Sequence, residues 1–140
     1  MSYDPNNILA RILRGELPSH KVHEDEHVLA IMDIRPAGPG HVLVIPKAPS
    51  RNLLDASDAT LAELMKAVRR IANAVKTGMG AEGVTVRQFS EEAAGQTIFH
   101  LHFHVIPRWM DRPLRSEPAP PMEAPEVLKE NAERIRRALV

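Results

Sequence analysis

The chain has 140 residues, of which 44% are hydrophobic, so it is long enough to bury the core of one ordinary domain. Its 18 basic and 18 acidic residues balance to a formal net charge of zero, which provides no overall field to draw the protein onto nucleic acid or an anionic membrane. The absence of cysteine excludes disulfides, thiolate nucleophiles and cysteine-ligated zinc.

The hydrophobic pattern of the sequence predicts neither a targeting segment nor a membrane-spanning segment. No apolar run approaches the roughly 20 residues that a membrane-spanning helix needs. Residues 1–12 mix polar and apolar side chains and lack the continuous apolar stretch of a signal peptide. We therefore expect a cytoplasmic protein that binds neither nucleic acid nor membrane.

The first half of the chain predicts one short helix and three strands. Apolar residues at helical spacing in 7–14, followed by Gly15, predict a helix of two to three turns. Residues 21–24 and 28–32, separated by a polar turn, predict a β-hairpin. After a break rich in proline and glycine, the apolar run in 41–46 predicts a central strand that is buried on both faces.

The second half begins with the longest helical pattern. From Thr60 to about Met79 apolar residues recur with the helical period, and the four residues from Thr60 to Glu63 fit a capping box at its start. Two further strands are expected at 84–89 and 97–106, joined by a connection to which glycine gives backbone freedom.

Beyond the last strand the composition of the chain changes. Residues 111–125 are rich in proline and poor in apolar residues, which predicts an extended or mobile tail, and residues 126–139 predict a last helix. We expect a domain over residues 1–110 and an appended segment over 111–140. Short connections between the strands predict an α+β fold with a mainly antiparallel sheet, a long helix and a short N-terminal helix.

The strand predicted at 97–106 carries three histidines at alternate positions. Because successive strand residues point to opposite faces, His100, His102 and His104 should share one face, while the other face is apolar. One explanation is an incidental polar face on an edge strand, although Thr, Lys or Glu are more usual there. Metal binding and catalysis are the two others.

Metal binding is limited by distance. Alternate strand residues are about 6.6 Å apart, so His100 and His104 lie roughly 13 Å apart and cannot share one ion at Zn–N distances near 2 Å. Two of the three histidines could share a metal, but the strand has no carboxylate and the chain has no cysteine. We expect no metal and no cofactor.

Covalent catalysis is the explanation that these residues favour. A neutral imidazole nitrogen can attack phosphorus and form a phosphoramidate intermediate that water then opens. His102 has a histidine on either side to orient it, to protonate a leaving group or to stabilise negative oxygens. We predict that His102 is the nucleophile.

Three ordered stretches of the sequence resemble the histidine triad family. Residues 95–108, Gly-Gln-Thr-Ile-Phe-His-Leu-His-Phe-His-Val-Ile-Pro-Arg, are similar to the family's signature. Residues 12–19, and then 32–36 followed by 40–47, are similar to its N-terminal half in the same order. The resemblance covers roughly residues 5–109. It implies a homodimeric α+β domain whose two five-stranded sheets join, and which binds purine nucleotides and cleaves them at the α-phosphorus.

The resemblance also implies roles for individual residues. His102 corresponds to the family's nucleophile, His100 and His104 to the flanking triad members, and His41 to an additional histidine near the site. Asp33 corresponds to the acid that binds the ribose hydroxyls, although an aspartate that only forms a turn is the alternative. The remaining positions are implied for an apolar slot around the base, namely Ile8, Leu9, Ile12, Ile31 and Ile34, and for contacts to the phosphate, namely Gly95, Gln96 and Thr97. The slot residues are equally good core residues.

Some positions depart from the family's pattern. Asn7 and Ala10 stand where many members have the Cys-x-x-Cys pair of a structural zinc site, so we expect no such zinc here. Phe89 stands where many members have a phosphate-contacting asparagine, and Glu91 where a glycine is usual. These departures put the contacts to the α-phosphate in question.

Four residues after the triad, Arg108, Trp109, Arg112 and Arg115, suit either of two roles. They could grip the leaving half of a substrate, since arginine pairs with phosphate and tryptophan stacks on bases, or they could form a solvated basic tail.

The expected function is a nucleotide hydrolase that acts on nucleoside 5′-phosphoramidates, aminoacyl adenylates or related AMP conjugates. A dinucleoside polyphosphate hydrolase or nucleotidyltransferase would use the same nucleophile with a different leaving group. From another class, the protein could bind nucleotides or partner proteins as a sensor without significant turnover.

Overall fold

The computed structural model describes residues 2–115 and 120–140, which form a five-stranded antiparallel sheet and three α-helices. The strands are β1 (Lys21–Glu24), β2 (Val28–Met32), β3 (Val42–Pro46), β4 (Gly83–Arg87) and β5 (Phe103–Arg108), and the helices are α1 (Ile8–Leu13), α2 (Asp58–Gly78) and α3 (Pro125–Arg137). The strands lie in the order β1-β2-β3-β5-β4. This confirms the expected α+β fold.

The first two helices begin at polar capping residues and end near glycines. The Asn7 side chain accepts a hydrogen bond from the Ala10 N–H and so caps α1, which Gly15 follows in the left-handed region at φ +80°. Ser57 caps α2 by accepting from the Thr60 N–H. The predicted capping box from Thr60 to Glu63 is therefore wrong. The helix begins at Asp58, because the serine hydroxyl already satisfies the backbone of the first turn.

The sheet is buried on both faces at its centre. All residues of β2 and β3 are buried, as the continuous apolar run of β3 predicts, and β3 pairs with β2 on one side and β5 on the other. One face packs under α2 and α3 in the main core. The other face carries a smaller cluster in which Leu9 of α1 packs on Leu43 and Ile45. Each fully buried aliphatic side chain contributes roughly 1.5–3 kcal/mol.

The segment after the sheet is attached to the loop that follows β2. The Arg115 N–H donates to the Ala37 carbonyl and the Glu123 N–H donates to the Ile34 carbonyl, so both described parts of the 111–125 segment are bonded to this loop. Residues 116–119 lie outside the described residues. The predicted last helix is observed as α3, which buries Leu128 and Ile135 in the main core. None of the helices in the described residues is long and apolar enough to cross a membrane.

The histidine strand is shorter than the sequence pattern predicts. β5 begins only at Phe103, and residues 97–102 lie outside any strand. The Leu101 N–H donates to the Ser50 carbonyl in the loop after β3, and the Pro46 carbonyl accepts from the His100 ring. The ladder ends here because the backbone of 97–102 bonds to a loop and side chains instead of to β3. The prediction of a continuous strand over 97–106 with three histidines on one face is therefore wrong.

Candidate active site

A cavity of about 540 Å³ opens on the sheet face that carries α1. It is bordered by the loop after β2, the start of β3, the end of β4, the connection before β5, and β5 itself. Seven of the predicted site residues line it: Asp33, His41, Gly95, Gln96, Thr97, His102 and His104. A volume in this range is typical of pockets for small organic ligands.

His102 is held in one tautomer by the backbone. Its Nδ1 lies 2.6 Å from the carbonyl oxygen of His100, and a carbonyl can only accept a hydrogen bond. Nδ1 therefore carries the proton and Nε2 carries the free lone pair. Burial lowers the pKa of His102, against the effect of the bond to His100, so the ring stays neutral at physiological pH. This is the form in which an imidazole can act as a nucleophile.

His41 and His104 form a hydrogen-bonded chain beside His102. The Ala37 N–H donates to Nδ1 of His41 at 3.0 Å, so the proton of His41 is on Nε2, which donates to Nδ1 of His104 at 2.9 Å. Nε2 of His104 then carries a proton. The ring centroids of His102 and His104 are 5.0 Å apart. The chain of bonds thus provides an N–H donor next to a ring with a free lone pair.

Both rings of this chain are neutral. Burial, with the positive charge of nearby groups, lowers the pKa of His41 to about 2 and that of His104 to about 3. Arg87 contributes to both shifts. A neutral imidazole donates a hydrogen bond but is a weak acid, so these rings suit stabilisation of phosphoryl oxygens better than proton delivery.

Asp33 forms a turn, as the alternative from the sequence predicts, and it also lines the cavity. Its Oδ1 accepts from the Arg35 N–H at 2.9 Å, which forms a turn, while Oδ2 lies 3.5 Å from Nε2 of His41 at the cavity. Burial raises the pKa of Asp33, against the effect of the backbone hydrogen bond. The turn fixes the carboxyl group with one oxygen toward the cavity.

His100 does not line the cavity. Its ring is 1% exposed, donates from Nε2 to the Pro46 carbonyl at 2.8 Å and accepts at Nδ1 from the Tyr3 hydroxyl at 2.6 Å. Both ring nitrogens are thus engaged, which leaves no atom for the predicted role of proton donor or oxygen stabiliser. The contact of His100 with the site is through its backbone carbonyl. No local pattern could predict Tyr3, which is 97 residues away.

The loop before β5 is built around Gln96. Its side chain is buried, donates to the Arg51 carbonyl at 2.8 Å and accepts from the Glu91 N–H at 2.8 Å and from Asn52 Nδ2 at 3.1 Å. The amide therefore holds the loop and has little capacity left for a phosphate. Gly95 precedes it at φ +100°, where a side chain would be strained, and Thr97 is exposed at the cavity.

Glu91, the residue that departs from the family's glycine, lies at φ 76°. Its carboxylate forms a two-pronged ion pair with the Arg51 guanidinium at 2.9 and 3.0 Å and accepts from Asn52 at 2.6 Å. These bonds offset the unfavourable backbone conformation. They also lower the pKa of the Glu91 carboxyl, so it stays ionised at neutral pH.

The residues expected to form an apolar slot do not line this cavity. Leu9 and Ile31 are buried in the small cluster, with Ile12 packed against it, and this favours the core alternative for all three. Ile8 and Ile34 are exposed. The apolar lining comes instead from Ala37, Leu43, Phe89, Ile98 and Pro120.

The structure adds two arginines that sequence reasoning missed. Arg35 and Arg87 line the cavity together with Arg115. Arg87 faces His104 across the β4–β5 ladder, and His104 faces Leu43 across the β5–β3 ladder, so the three side chains form a row on one face of the sheet. Knowledge of this strand register would have identified Arg87 as a residue that lies beside His104.

Of the four residues after the triad, only Arg115 reaches the cavity. Arg108 donates to Thr85 Oγ1, and Trp109 donates to the Gly80 carbonyl while Arg112 stacks on its ring at 4.5 Å. These three residues do not line the cavity, so the hypothesis that all four grip a leaving group is wrong for them.

Among the described residues, Asp33, His41 and His104 are the one group whose ligand atoms lie close enough together to be tested as a metal site, within 4.8 Å of one another. Two nitrogens on a tetrahedral zinc are about 3.3 Å apart. Here Nε2 of His41 and Nδ1 of His104 lie 2.9 Å apart and share a proton, so a metal would have to displace that hydrogen bond. The arrangement fits a hydrogen-bonded pair better than a metal centre.

The fold and the histidine cluster are typical of small nucleotide-handling proteins. Comparison with known proteins then identifies the family to which this chain belongs. The family model for the HIT domain matches residues 14–110. The chain is 41% identical over 104 residues to Protein hit of Bacillus subtilis, which covers 74% of this chain and 72% of that protein. The chain therefore belongs to the histidine triad, or HIT, family, as its sequence resemblance implies.

Two further relatives, one a solved structure and one a protein named as an enzyme, are similar to this chain over most of its length. A crystal structure of a HIT-like protein from Bartonella henselae, described as involved in cell-cycle regulation, has a TM-score of 0.90 at 53% identity and covers 99% of this chain and 100% of that one. Adenylylsulfatase HINT3 of Arabidopsis thaliana is 37% identical over 101 residues, which are 72% of this chain and 51% of that protein. The protein is thus a HIT protein of the hydrolase and nucleotide-binding kind.

Proposed function

We propose that the protein hydrolyses nucleoside 5′-phosphoramidates or related AMP conjugates at the α-phosphorus, through a covalent nucleotidyl-histidine intermediate on His102. The observation that carries this proposal is the bond from His102 Nδ1–H to the His100 carbonyl, which leaves Nε2 with its lone pair on a ring that lines the cavity. Similarity to a relative named adenylylsulfatase supports including a sulfate conjugate of AMP among the substrates.

The reaction takes place in two displacements. Nε2 of His102 attacks the α-phosphorus, a P–N bond forms, and the bond from phosphorus to the leaving group breaks with its electron pair on the leaving atom. An amine leaving group also takes up a proton from solvent. Water then attacks phosphorus, the P–N bond breaks with its electron pair returning to Nε2, and AMP is released with the proton of the water passing to solvent.

The neighbouring groups stabilise the charge and hold the substrate. Nε2–H of His104 is the donor for a phosphoryl oxygen, and the chain through His41 to the Ala37 N–H keeps this proton in place. Asp33 is the acceptor proposed for the ribose hydroxyls, because one carboxylate oxygen already faces the cavity. Leu43 and Ile98 offer apolar surface for a purine base.

A substrate comparison tests the proposal. Release of AMP from adenosine 5′-phosphoramidate is followed by chromatography, and acid-sensitive adenylyl adducts are sought by mass spectrometry in rapidly quenched reactions. We expect product and an adduct of one AMP on the peptide that contains His102. Tight binding of AMP with no product from the phosphoramidate, from diadenosine triphosphate or from adenosine 5′-phosphosulfate would instead support a binding protein without turnover.

We also propose a homodimer in which the edge strand β4 joins a second copy. β4 pairs only with β5 among the described strands, and its Val86 is 43% exposed. Val86 lies beside an apolar groove along α2, where Met65 is 46% exposed. Sedimentation at micromolar concentration should give a dimer, and Val86→Glu should give monomer, while wild-type monomer would refute the proposal.

A further inference from the structure

The cavity concentrates positive charge in a chain that is neutral as a whole. Three arginines and one aspartate line it, which gives a net charge of +2 when Asp33 is ionised, although the whole chain is neutral. The lining histidines His41, His102 and His104 add no further positive charge, because their lowered pKa values keep them neutral. The cavity therefore has a local field that attracts anions.

Arg87 is the central arginine of this set. Its position opposite His104 in the ladder places it next to the ring that would contact the phosphoryl group. Its guanidinium lies 5.6 Å from the centre of the Phe89 ring, and its Nε is buried without a hydrogen-bond partner among residues 2–115 and 120–140. A partly desolvated guanidinium with an unpaired donor is costly, and an oxyanion ligand would offset that cost.

Arg35 and Arg115 line the same cavity, and each is bonded to the other's chain segment. Arg35 donates from Nη1 to the Pro120 carbonyl at 3.0 Å, and Arg115 donates from Nη1 to the Pro36 carbonyl at 3.3 Å. Each bond uses one of the five N–H donors of its guanidinium and leaves the others available to a ligand. The loop after β2 and the segment after β5 thus hold each other's arginines at the cavity.

We propose that Arg87, with Arg35 and Arg115, forms an oxyanion subsite for the leaving group, so that the preferred substrates carry a phosphate or sulfate on the α-phosphorus. This inference rests on the proposed hydrolysis at His102 and specifies the chemistry of its substrate. Phe89 cannot donate a hydrogen bond, so the arginine two residues earlier on β4 supplies the polar contact on this wall.

The chemistry of the leaving group agrees with the electrostatics. When the bond from the α-phosphorus to a bridging oxygen breaks, the electron pair stays on that oxygen, and a phosphate or sulfate departs as an anion without needing a proton. An amine must take up a proton as it leaves. A site with neutral imidazoles and cationic guanidiniums favours the departure of an anion.

Substrates that differ in the charge of their leaving group test the subsite. We would measure kcat/KM for adenosine 5′-phosphoramidate, adenosine 5′-phosphosulfate and diadenosine triphosphate, whose leaving groups are ammonia, sulfate and ADP. Arg87→Met, which retains volume but removes charge, should lower kcat/KM about 10- to 100-fold for the substrates with anionic leaving groups and less than about 3-fold for the phosphoramidate. Arg87→Lys should recover part of the loss.

Controls separate the subsite from the fold and from the proposed function. Arg112→Ala removes the same charge from an exposed residue outside the cavity and should leave all three values unchanged. Equal losses for all three substrates in Arg87→Met, or no loss for any, would overturn the subsite. A loss with only the sulfate or only the polyphosphate would identify which oxyanion the arginines bind.

If the wild type cleaves none of these substrates, a binding measurement tests the oxyanion subsite on its own. That result would refute the proposed function, and calorimetric titration with inorganic pyrophosphate would then judge the subsite alone. Arg87→Met should weaken pyrophosphate binding at least about 10-fold relative to wild type and Arg112→Ala. Equal affinity in all three proteins, or no binding by the wild type, would overturn the subsite.

Discussion

Nδ1 of His102 lies 2.6 Å from the carbonyl oxygen of His100, while the ring of His100 points away from the cavity and bonds to Tyr3 and Pro46. One histidine thus supplies a backbone acceptor to the next, and its own imidazole serves as an anchor. The bond fixes the tautomer of His102 before a substrate arrives, so the lone pair needs no rearrangement for the attack on phosphorus that we propose.

Replacing His102, the proposed nucleophile, should separate chemistry from binding. We expect His102→Ala to lower kcat by about 10³-fold or more, because the covalent route is lost, while AMP affinity changes little. Stopped assays and calorimetry measure the two quantities. His27→Ala, on the exposed turn between β1 and β2, is the control that should behave as wild type. Wild-type kcat in His102→Ala would reject the assignment.

The Tyr3 hydroxyl should contribute to stability and to the position of the nucleophile. Tyr3→Phe removes the donor to Nδ1 of the buried His100, so an acceptor is left unsatisfied. The expected loss is about 1–3 kcal/mol in the free energy of unfolding, measured by urea denaturation. The KM should stay near wild type while kcat falls a few fold. An unchanged urea midpoint would show that the hydroxyl is dispensable.

The stability of the protein should fall as the pH is lowered from 7. The pKa of the buried His41 is about 2 in the folded state, below its ordinary value of 6.5, so between these values the unfolded state binds a proton that the folded state excludes. The stability is fully present above pH 6.5 and is lost below it. The slope from this residue approaches roughly 1.4 kcal/mol per pH unit.

Urea titrations at pH 7, 6 and 5 measure this dependence, and His41→Asn should flatten it. His104 acts in the same direction, because burial also depresses its pKa, to about 3. His27→Ala, which removes an exposed imidazole, should retain the wild-type slope. A wild-type protein whose stability does not change between pH 7 and 5 would contradict the neutral state assigned to these rings.

Close packing of α2 against α3 should make Gly78 intolerant of a side chain. An added Cβ would lie 2.8 Å from the Arg134 carbonyl oxygen and 3.1 Å from the Ile135 Cα, both of which are backbone atoms. We expect Gly78→Ala to destabilise the protein by about 1–3 kcal/mol, although alanine favours helices. Gly83→Ala, at a position with open space, should change the thermal midpoint little. Equal midpoints for the two variants would show that α3 can shift.

Local patterns predicted the secondary structure of segments in which the spacing of apolar residues matches the faces that the fold buries. The β1–β2 hairpin, the doubly buried β3 and the helix α3 all follow from periodicity, and the structure has them within one or two residues of the expected bounds. The start of α2 was misplaced because Ser57 and Thr60 both suit a helix N-terminus, and only the backbone contact distinguishes them.

The sequence by itself determined the family, the α+β fold and the cluster of His41, His102 and His104 with Asp33, because the motif fixes residue types and order. The tertiary structure decided which atoms are engaged. It turned His100 away to Tyr3, placed Leu9 and Ile31 in the core, and set Arg87 opposite His104. These relationships join residues far apart in the chain, and the register and packing that bring them together depend on the whole fold, so no local pattern contains them.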